Sequence, residues 1–330
     1  MSRTSGVFAA SALLLLAVAV YSAMTGSIEL GFGELVQGLI HGGNEQVEVV
    51  KDLRFPRIFV AMLAGAALAV SGALLQAVMK NPLAEPGIIG ISSGAGLVSL
   101  LVVTLFPMLY FWSPLFAVLG GGLACYIVYS LSWRSGLQPL RLILVGVAVN
   151  ATFTGLGQSF NYRGSYAVTS VNQAISSIFT MKTWDDVTIL AVFGGLGLLL
   201  ALPLGAWCNM LAFGDETARS LGLRILHVRL LLSAVAVLLA SVATAIGGLI
   251  LFAGLLVPHI GRLLLGPSFR LLIPFSAIGG ALLILAADTI GRTVLAPAEV
   301  PASIIMTVIG GPFLIMMLRR DDRRPDKRRA

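Results

Sequence analysis

Three hydrogen-bonding side chains recur at a helical interval inside an apolar stretch. Asn150, Thr154 and Gln158 stand at i, i+4 and i+8 within residues 141–160, so on a helix they share one face. Polar groups in hydrocarbon are costly, and such a stripe either bonds a neighbouring helix or lines a water-accessible path. Thr152, Ser159 and Asn161 lie nearby, and no acid joins the stripe, so it offers no proton- or sodium-binding carboxylate. Asp288 is the best carboxylate inside an apolar stretch. Arg292 follows one turn later, a spacing that favours a structural ion pair over a proton relay. His259 follows Pro258 at an expected kink and reads as packing.

A polar island, Ala212-Phe-Gly-Asp-Glu-Thr-Ala-Arg-Ser-Leu-Gly222, interrupts two long apolar stretches, with Arg224, His227 and Arg229 just beyond. It reads as a short helix outside the membrane. Asp215 and Glu216 sit where a helix N-terminus favours negative charge, and Asp215 can meet Arg219 at i,i+4. Gly222 is placed to stop the helix. A capped, charged helix between two spans is a surface that a partner on one side of the bilayer can grip.

The absent motifs narrow the chemistry. The four lysines, at 51, 80, 182 and 327, lie in no GxxxxGK[ST] frame, so the chain has no Walker A loop for ATP hydrolysis. The histidines at 41, 227 and 259 form no HExxH or paired-ligand spacing. No Gly-x-Ser-x-Gly elbow occurs. Cys125 and Cys208 are far apart and read as packed thiols. The expectation is a chain that is no enzyme and binds no cofactor of its own.

The elements that must position these residues are membrane spans. Of 330 residues, 57% are hydrophobic and 11% charged, with mean hydropathy +0.95. A soluble domain carries roughly 25% charged residues, so the chain is expected to be an all-α polytopic membrane protein forming one compact bundle. Hydropathy gives ten spans, at about 7–25, 57–79, 92–106, 114–131, 141–160, 187–207, 229–248, 249–264, 273–291 and 302–318. The third is short, and the seventh and eighth are nearly fused. The first exceeds a signal-peptide core and reads as an uncleaved span. Residues 1–318 form the membrane domain, and 319–330 a basic tail too charged to pack.

The net charge of +7 does not imply nucleic acid, because seven of the 22 basic residues fall in that tail. With both termini cytoplasmic, inside segments hold sixteen basic residues: Arg3, Lys80, Arg134, Arg141, Arg219, Arg224, Arg229, Arg262, Arg270 and the seven of the tail. Outside segments hold six: Lys51, Arg54, Arg57, Arg163, Lys182 and Arg292. That asymmetry supports this orientation and places the 212–224 island inside. Of the outer segments, 26–56 and 161–186 are long enough to carry structure. Gly65-Ala-Ala-Leu-Ala69, Ser71-Gly-Ala73 and Gly120-Gly-Gly122 read as sites of close helix approach.

Several stretches together resemble the permease family of bacterial ABC importers for iron–siderophore complexes, haem and cobalamin. They are Arg54-Phe-Pro-Arg57, Gly65 to Gln76, Asn81-Pro-Leu-Ala-Glu-Pro-Gly87, Gly90 to Gly96, the Gly214–Gly222 island, Phe252 to Ile260, Ala287-Asp288 and Glu299-Val-Pro301. Phe55 stands where the family usually has leucine. The resemblance implies ten spans and a permease dimer, with an identical or homologous copy, in the bacterial cytoplasmic membrane. It also implies two cytoplasmic ATPase subunits, which bind the ATP and magnesium, and an extracytoplasmic substrate-binding protein. By the same resemblance Gly214, Asp215, Glu216, Ala218, Arg219, Leu221 and Gly222 couple to the ATPase. Arg54, Arg57 and Arg292 receive the binding protein, and Asn150, Thr154 and Gln158 line the path. The expected cargo is an iron chelate, siderophore or haem. The alternatives are cobalamin, or an ion-gradient-driven transporter, which would have to use Asp288.

Overall fold

The computed structural model describes residues 3–26, 31–41, 45–133, 139–163, 179–213 and 215–322, and every regular element among them is helical. In chain order these are α1 (Arg3–Met24), α2 (Phe32–His41), α3 (Glu45–Val49), a π-helical turn (Val50–Arg54), α4 (Phe55–Met79), α5 (Pro86–Ile89), α6 (Ile91–Leu105), a 3-10 turn (Pro107–Trp112), α7 (Ser113–Trp133) and α8 (Pro139–Arg163). There follow α9 (Trp184–Ala212), α10 (Asp215–Ser220), α11 (Ile225–Gly247), α12 (Ala253–Leu265), α13 (Phe269–Thr293) and α14 (Ala302–Asp322). Among the described residues seven helices are long and apolar enough to cross a bilayer, and α6, α12 and the apolar part of α14 are shorter. Each of the ten expected spans has its counterpart here. The nearly fused pair separates at 248–252, and the last helix runs past residue 318 to Asp322. Residues 164–178, within the outer segment 161–186, and 323–330 of the tail lie outside the described residues.

Helix α4 is the axis of the bundle: every residue from Ala64 to Met79 is buried, with α9, α11, α12 and α13 packed around it. Lipid tails are as apolar as leucine, so burial of apolar surface gives helices little reason to associate there, and close van der Waals approach must do it. The small residues of α4 allow that approach. A Cβ placed on Gly65 would stand 2.2 Å from the carbonyl oxygen of Gly280 in α13, and one on Gly280 would stand 2.2 Å from that of Gly65. A Cβ on Gly72 would meet the carbonyl oxygen of Gly254 in α12 at 2.1 Å. Gly94 and Gly120 bring α6 against α7 in the same manner.

Helix α12 has 13 residues, roughly 20 Å, too short to cross about 30 Å of hydrocarbon. The non-helical segment 248–252 completes the crossing, and it is tolerated because protein surrounds it. Phe252, in the left-handed region at φ 68°, donates its N–H to the Glu85 carboxylate at 3.1 Å. Glu85 is 1% exposed, so the Asn81–Gly87 loop supplies a buried acid where the helix dipole favours one. In the same region Gln76 donates to the Gly254 carbonyl at 3.0 Å and accepts from Arg262 at 2.5 Å.

A methyl at Gly65 or Gly280 therefore has no room. Gly65→Ala and Gly280→Ala are each expected to destabilise the bundle by about 1–3 kcal/mol, the usual cost of overpacking. Gly122→Ala, whose Cβ would meet nothing within 4 Å, should melt like the parent. Thermal melting of the detergent-extracted protein checks the contrast.

Candidate functional site

At one end of the bundle, α10 is set by interactions at both of its own ends. Its last turn closes with Leu223 N–H to Ala218 O at 3.0 Å and Gly222 N–H to Arg219 O at 2.9 Å, with Gly222 at φ 83°. This six-to-one and five-to-two pattern is a Schellman motif, with glycine at its left-handed position. At its start the Asp215 carboxylate accepts from Lys80 Nζ at 2.7 Å and from Arg229 at 3.0 and 3.2 Å. The spacing in the sequence pointed to Arg219, but the partners come from α4's end and from α11. The hydrogen bond from Lys80 holds Asp215 below its usual range. Burial pulls the other way, and the charges of Arg229, Lys80 and Arg219 add to the lowering. Lys80 itself is left-handed, at φ 50°, where glycine or asparagine is ordinary. A lysine there keeps α4 tied to α10.

Ala218 is fully buried beneath α10, whereas Glu216, Arg219 and Gly222 are exposed. Phe213 and Leu221 expose 69% and 57% of their surface beside it. Gly214 lies outside the described residues. An apolar pair next to charged groups, outside the spans, is the composition of a protein-docking surface.

The opposite end is held by arginines. Arg57 grips Asp288 through two parallel bonds, Nε to Oδ2 at 2.9 Å and the terminal nitrogen to Oδ1 at 2.8 Å. Its other terminal nitrogen reaches both Glu299 oxygens at 3.1 and 3.0 Å, and Thr180 at 3.2 Å. Arg292 approaches Asp288 at 3.7 Å and donates to the Ser22 carbonyl and hydroxyl at 3.0 and 2.6 Å. Arg54 donates to the Ala23 carbonyl at 2.8 Å. The expected Asp288–Arg292 pair is thus the looser contact, and Arg57, 231 residues away in sequence, is the main partner. Burial alone would raise the Glu299 carboxyl, but the Thr180 hydrogen bond and the Arg57 charge outweigh it and leave it below the usual range. Within this cluster three arginines face two carboxylates, and all three arginine side chains are largely buried.

Between the ends lies a cavity of about 180 Å³ near the arginine side of α8. Thr154 and Gln158 line it together with Ser93, Thr104, Lys182 and Thr244. Asn150, one turn before Thr154, is half-buried and is not part of the wall. Thr152 and Ser159 turn their hydroxyls back to carbonyls of α8 at 2.9 and 2.8 Å. Burial lowers the Lys182 ammonium, an effect that Asp186 partly offsets. Tyr110, at the cavity rim, donates to Asp186, and Asp186 also accepts from Thr183 N–H at 2.9 Å at the start of α9. Sequence reading missed Lys182, Glu85, Gln76 and Lys80, and the last three are placed by partners far along the chain. Elsewhere His259 packs edge-on to Phe313, with ring centroids 5.5 Å apart, and Cys125 and Cys208 are buried free thiols.

The chain has clear relatives. It is 42% identical over 311 residues, 94% of each chain, to proteins of Staphylococcus aureus strains MSSA476 and MW2 described as "Probable heme-iron transport system permease protein IsdF". Its fold matches a solved structure described as "An inward-facing conformation of a putative metal-chelate type ABC transporter", with TM-score 0.82 and 28% identity over 96% of this chain and 99% of that one. A chain of PsaBC from Streptococcus pneumoniae, at 18% identity, shares the fold with TM-score 0.63 over 87% of this chain and 95% of that one. The profile of the FecCD transport family matches residues 14–320, and the chain belongs to that family.

Proposed function

We propose that this chain is the membrane subunit of an ATP-powered importer of an iron chelate, with haem the favoured cargo. The observation that carries the reading is α10: an exposed helix outside the spans, capped at one end and ion-paired to two other elements at the other. The 42% identity to a heme-iron permease supports the cargo. Two ATPase subunits, supplying ATP and magnesium, dock on Glu216, Arg219, Leu221 and the flanking Gly214–Asp215 on the cytoplasmic side. An extracytoplasmic binding protein delivers the chelate at the end that Arg54, Arg57 and Arg292 hold together. A second permease copy completes the path. In this reading both chain termini lie on the cytoplasmic side, with α10.

At about 180 Å³ the cavity is too small to hold a chelate by itself, so in this reading the second copy supplies the rest of the path and the wall provides points of weak contact. Hydroxyls, an amide and one ammonium bind weakly at many points, so a chelate can enter and leave. Asp288, gripped by Arg57, is a structural acid, and this reading gives it no proton to relay.

Four outcomes are expected. The tagged chain, extracted in mild detergent, should carry an ATPase subunit in comparable amount. Asp215→Asn and Lys80→Gln should each lower uptake by up to about fivefold, for a loss of up to about 1 kcal/mol of coupling from these exposed ion pairs, while ATP hydrolysis persists. Absence of any nucleotide-binding partner would sink the reading. In proteoliposomes of the assembled complex, haem uptake should fall in Thr154→Leu and Gln158→Leu far more than in Asn150→Leu; equal effects would remove the cavity from the path. Asp288→Asn should cost about 3 kcal/mol by leaving Arg57 buried with Glu299 alone, and Arg57→Met with Asp288→Leu should cost less than the sum of the singles. An Asp288→Asn protein with normal melting and no transport would instead make that acid a proton carrier.

A further inference from the structure

A second cavity, of about 790 Å³, lies at the α10 end between α7 and α11. Its walls are apolar, with Val118 from α7 and Leu230 and Val237 from α11 along its length. Tyr126 and Leu230 at its edge expose 70% and 61% of their surface, so the groove is continuous with the hydrocarbon-facing side of the bundle. At Gly122 an added Cβ would meet nothing within 4 Å, which leaves the floor open.

The polar end is cationic. Arg219 and Arg229 both line it, and Lys80 lies beyond the one acid, Asp215. Arg229 gives one terminal nitrogen to Asp215, while its buried Nε has no hydrogen-bond partner. Tyr129 and Ser233, whose hydroxyls lie 3.2 Å apart, add hydrogen-bonding groups at the same end. A trough with oily walls and an under-satisfied basic mouth, placed where spans meet the polar boundary, matches an amphiphile with an anionic head. A soluble partner can cover the mouth, but only an acyl chain fits walls that face hydrocarbon.

We propose that this groove binds an anionic phospholipid, its phosphate on Arg219 and Arg229 and an acyl chain between α7 and α11. The site touches α10 through Arg219 and Asp215, so the lipid braces the helix that the partner would grip. The inference holds whatever cargo the chain carries.

The test is native mass spectrometry of the whole transporter complex after delipidation. Phosphatidylglycerol, phosphatidylcholine of the same acyl chains, and sn-glycerol 3-phosphate are added in turn. Phosphatidylglycerol should be retained at least fivefold over phosphatidylcholine, and glycerol phosphate should not be retained. Gly122→Leu in the complex, which fills the trough with a good helix former, and Arg219→Gln in the permease freed of its ATPase subunits, where no partner covers that side chain, should each bring phosphatidylglycerol down to the phosphatidylcholine level without lowering the melting temperature of the permease. Equal retention of the two lipids, or no effect of Gly122→Leu, would overturn the proposal. Retention of glycerol phosphate alone would replace it with a simple phosphate site. Retention by the isolated permease but not by the complex would show that a partner subunit occupies the groove, and a disulfide-linked dimer of Tyr126→Cys would show that a second copy does; either result defeats it.

Discussion

The contact between the backbones of α4 and α13 at Gly65 and Gly280 is the constraint on which the rest of the bundle depends. In hydrocarbon no hydrophobic force drives one helix against another, so cohesion comes from short-range attraction that fades within an ångström of lost contact. Side chains of ordinary size would hold the two axes apart and break that attraction along the whole interface. With α13 seated on one side and Gly254 of α12 seated against Gly72 on another, α4 is enclosed, and enclosure fixes where both of its ends emerge. Arg57 at one end and Lys80 at the other are thereby held apart by a rod of 23 residues, about 35 Å long.

The charged residues follow from the same scarcity of water. Asp288 is 2% exposed and Arg57 7% exposed, so each would carry a heavy desolvation cost alone. The bidentate grip, with Glu299 and Thr180 taking the other terminal nitrogen of Arg57 and Ser22 accepting from Arg292, offsets that cost without a large net gain in stability, although the buried Nε of Arg292 keeps no hydrogen-bond partner. Such a cluster contributes specificity of arrangement: it accepts only the register in which α1, α4, α13 and the 299 loop meet. At the α10 end the ion pairs are more exposed, each worth about 0–1 kcal/mol. A strong staple at one end and a weak one at the other is the distribution expected if the α10 end is the one that moves.

The fold was legible in the sequence because its signals are local. Each span declares itself within about twenty residues, and all ten were recoverable, including the short α6 and the break that begins α12. Gly222 as a helix stop and the small residues as points of close approach are local signals too. Partners were not legible. Asp215 had a plausible mate four residues away in Arg219, yet tertiary packing delivered Lys80 and Arg229; Asp288 likewise found Arg57 before Arg292. The stripe on α8 split because a helix face is wider than a cavity wall, which reaches Thr154 and Gln158 and stops short of Asn150. Glu85, in a loop that reads as turn chemistry, gave no hint that it would cap a helix 167 residues later.

The geometry also links α10 to the cavity by a short chain of contacts. Asp215 holds Lys80, and Lys80 ends α4 and opens the Asn81–Gly87 loop. Asn81 folds that loop by accepting from Leu83 N–H at 2.9 Å, and Glu85 from the same loop holds Phe252. Phe252 closes the non-helical segment whose Gly248 and Leu249 form part of the cavity wall beside Thr244. Every joint in this series is either an ion pair or a hydrogen bond to backbone outside regular helix, while the helices on either side are clamped by glycine contacts. A displacement of α10 therefore acts first on the elements least tied by packing. The broken crossing at 248–252 gives that displacement a place to appear, at the wall where the cargo would pass.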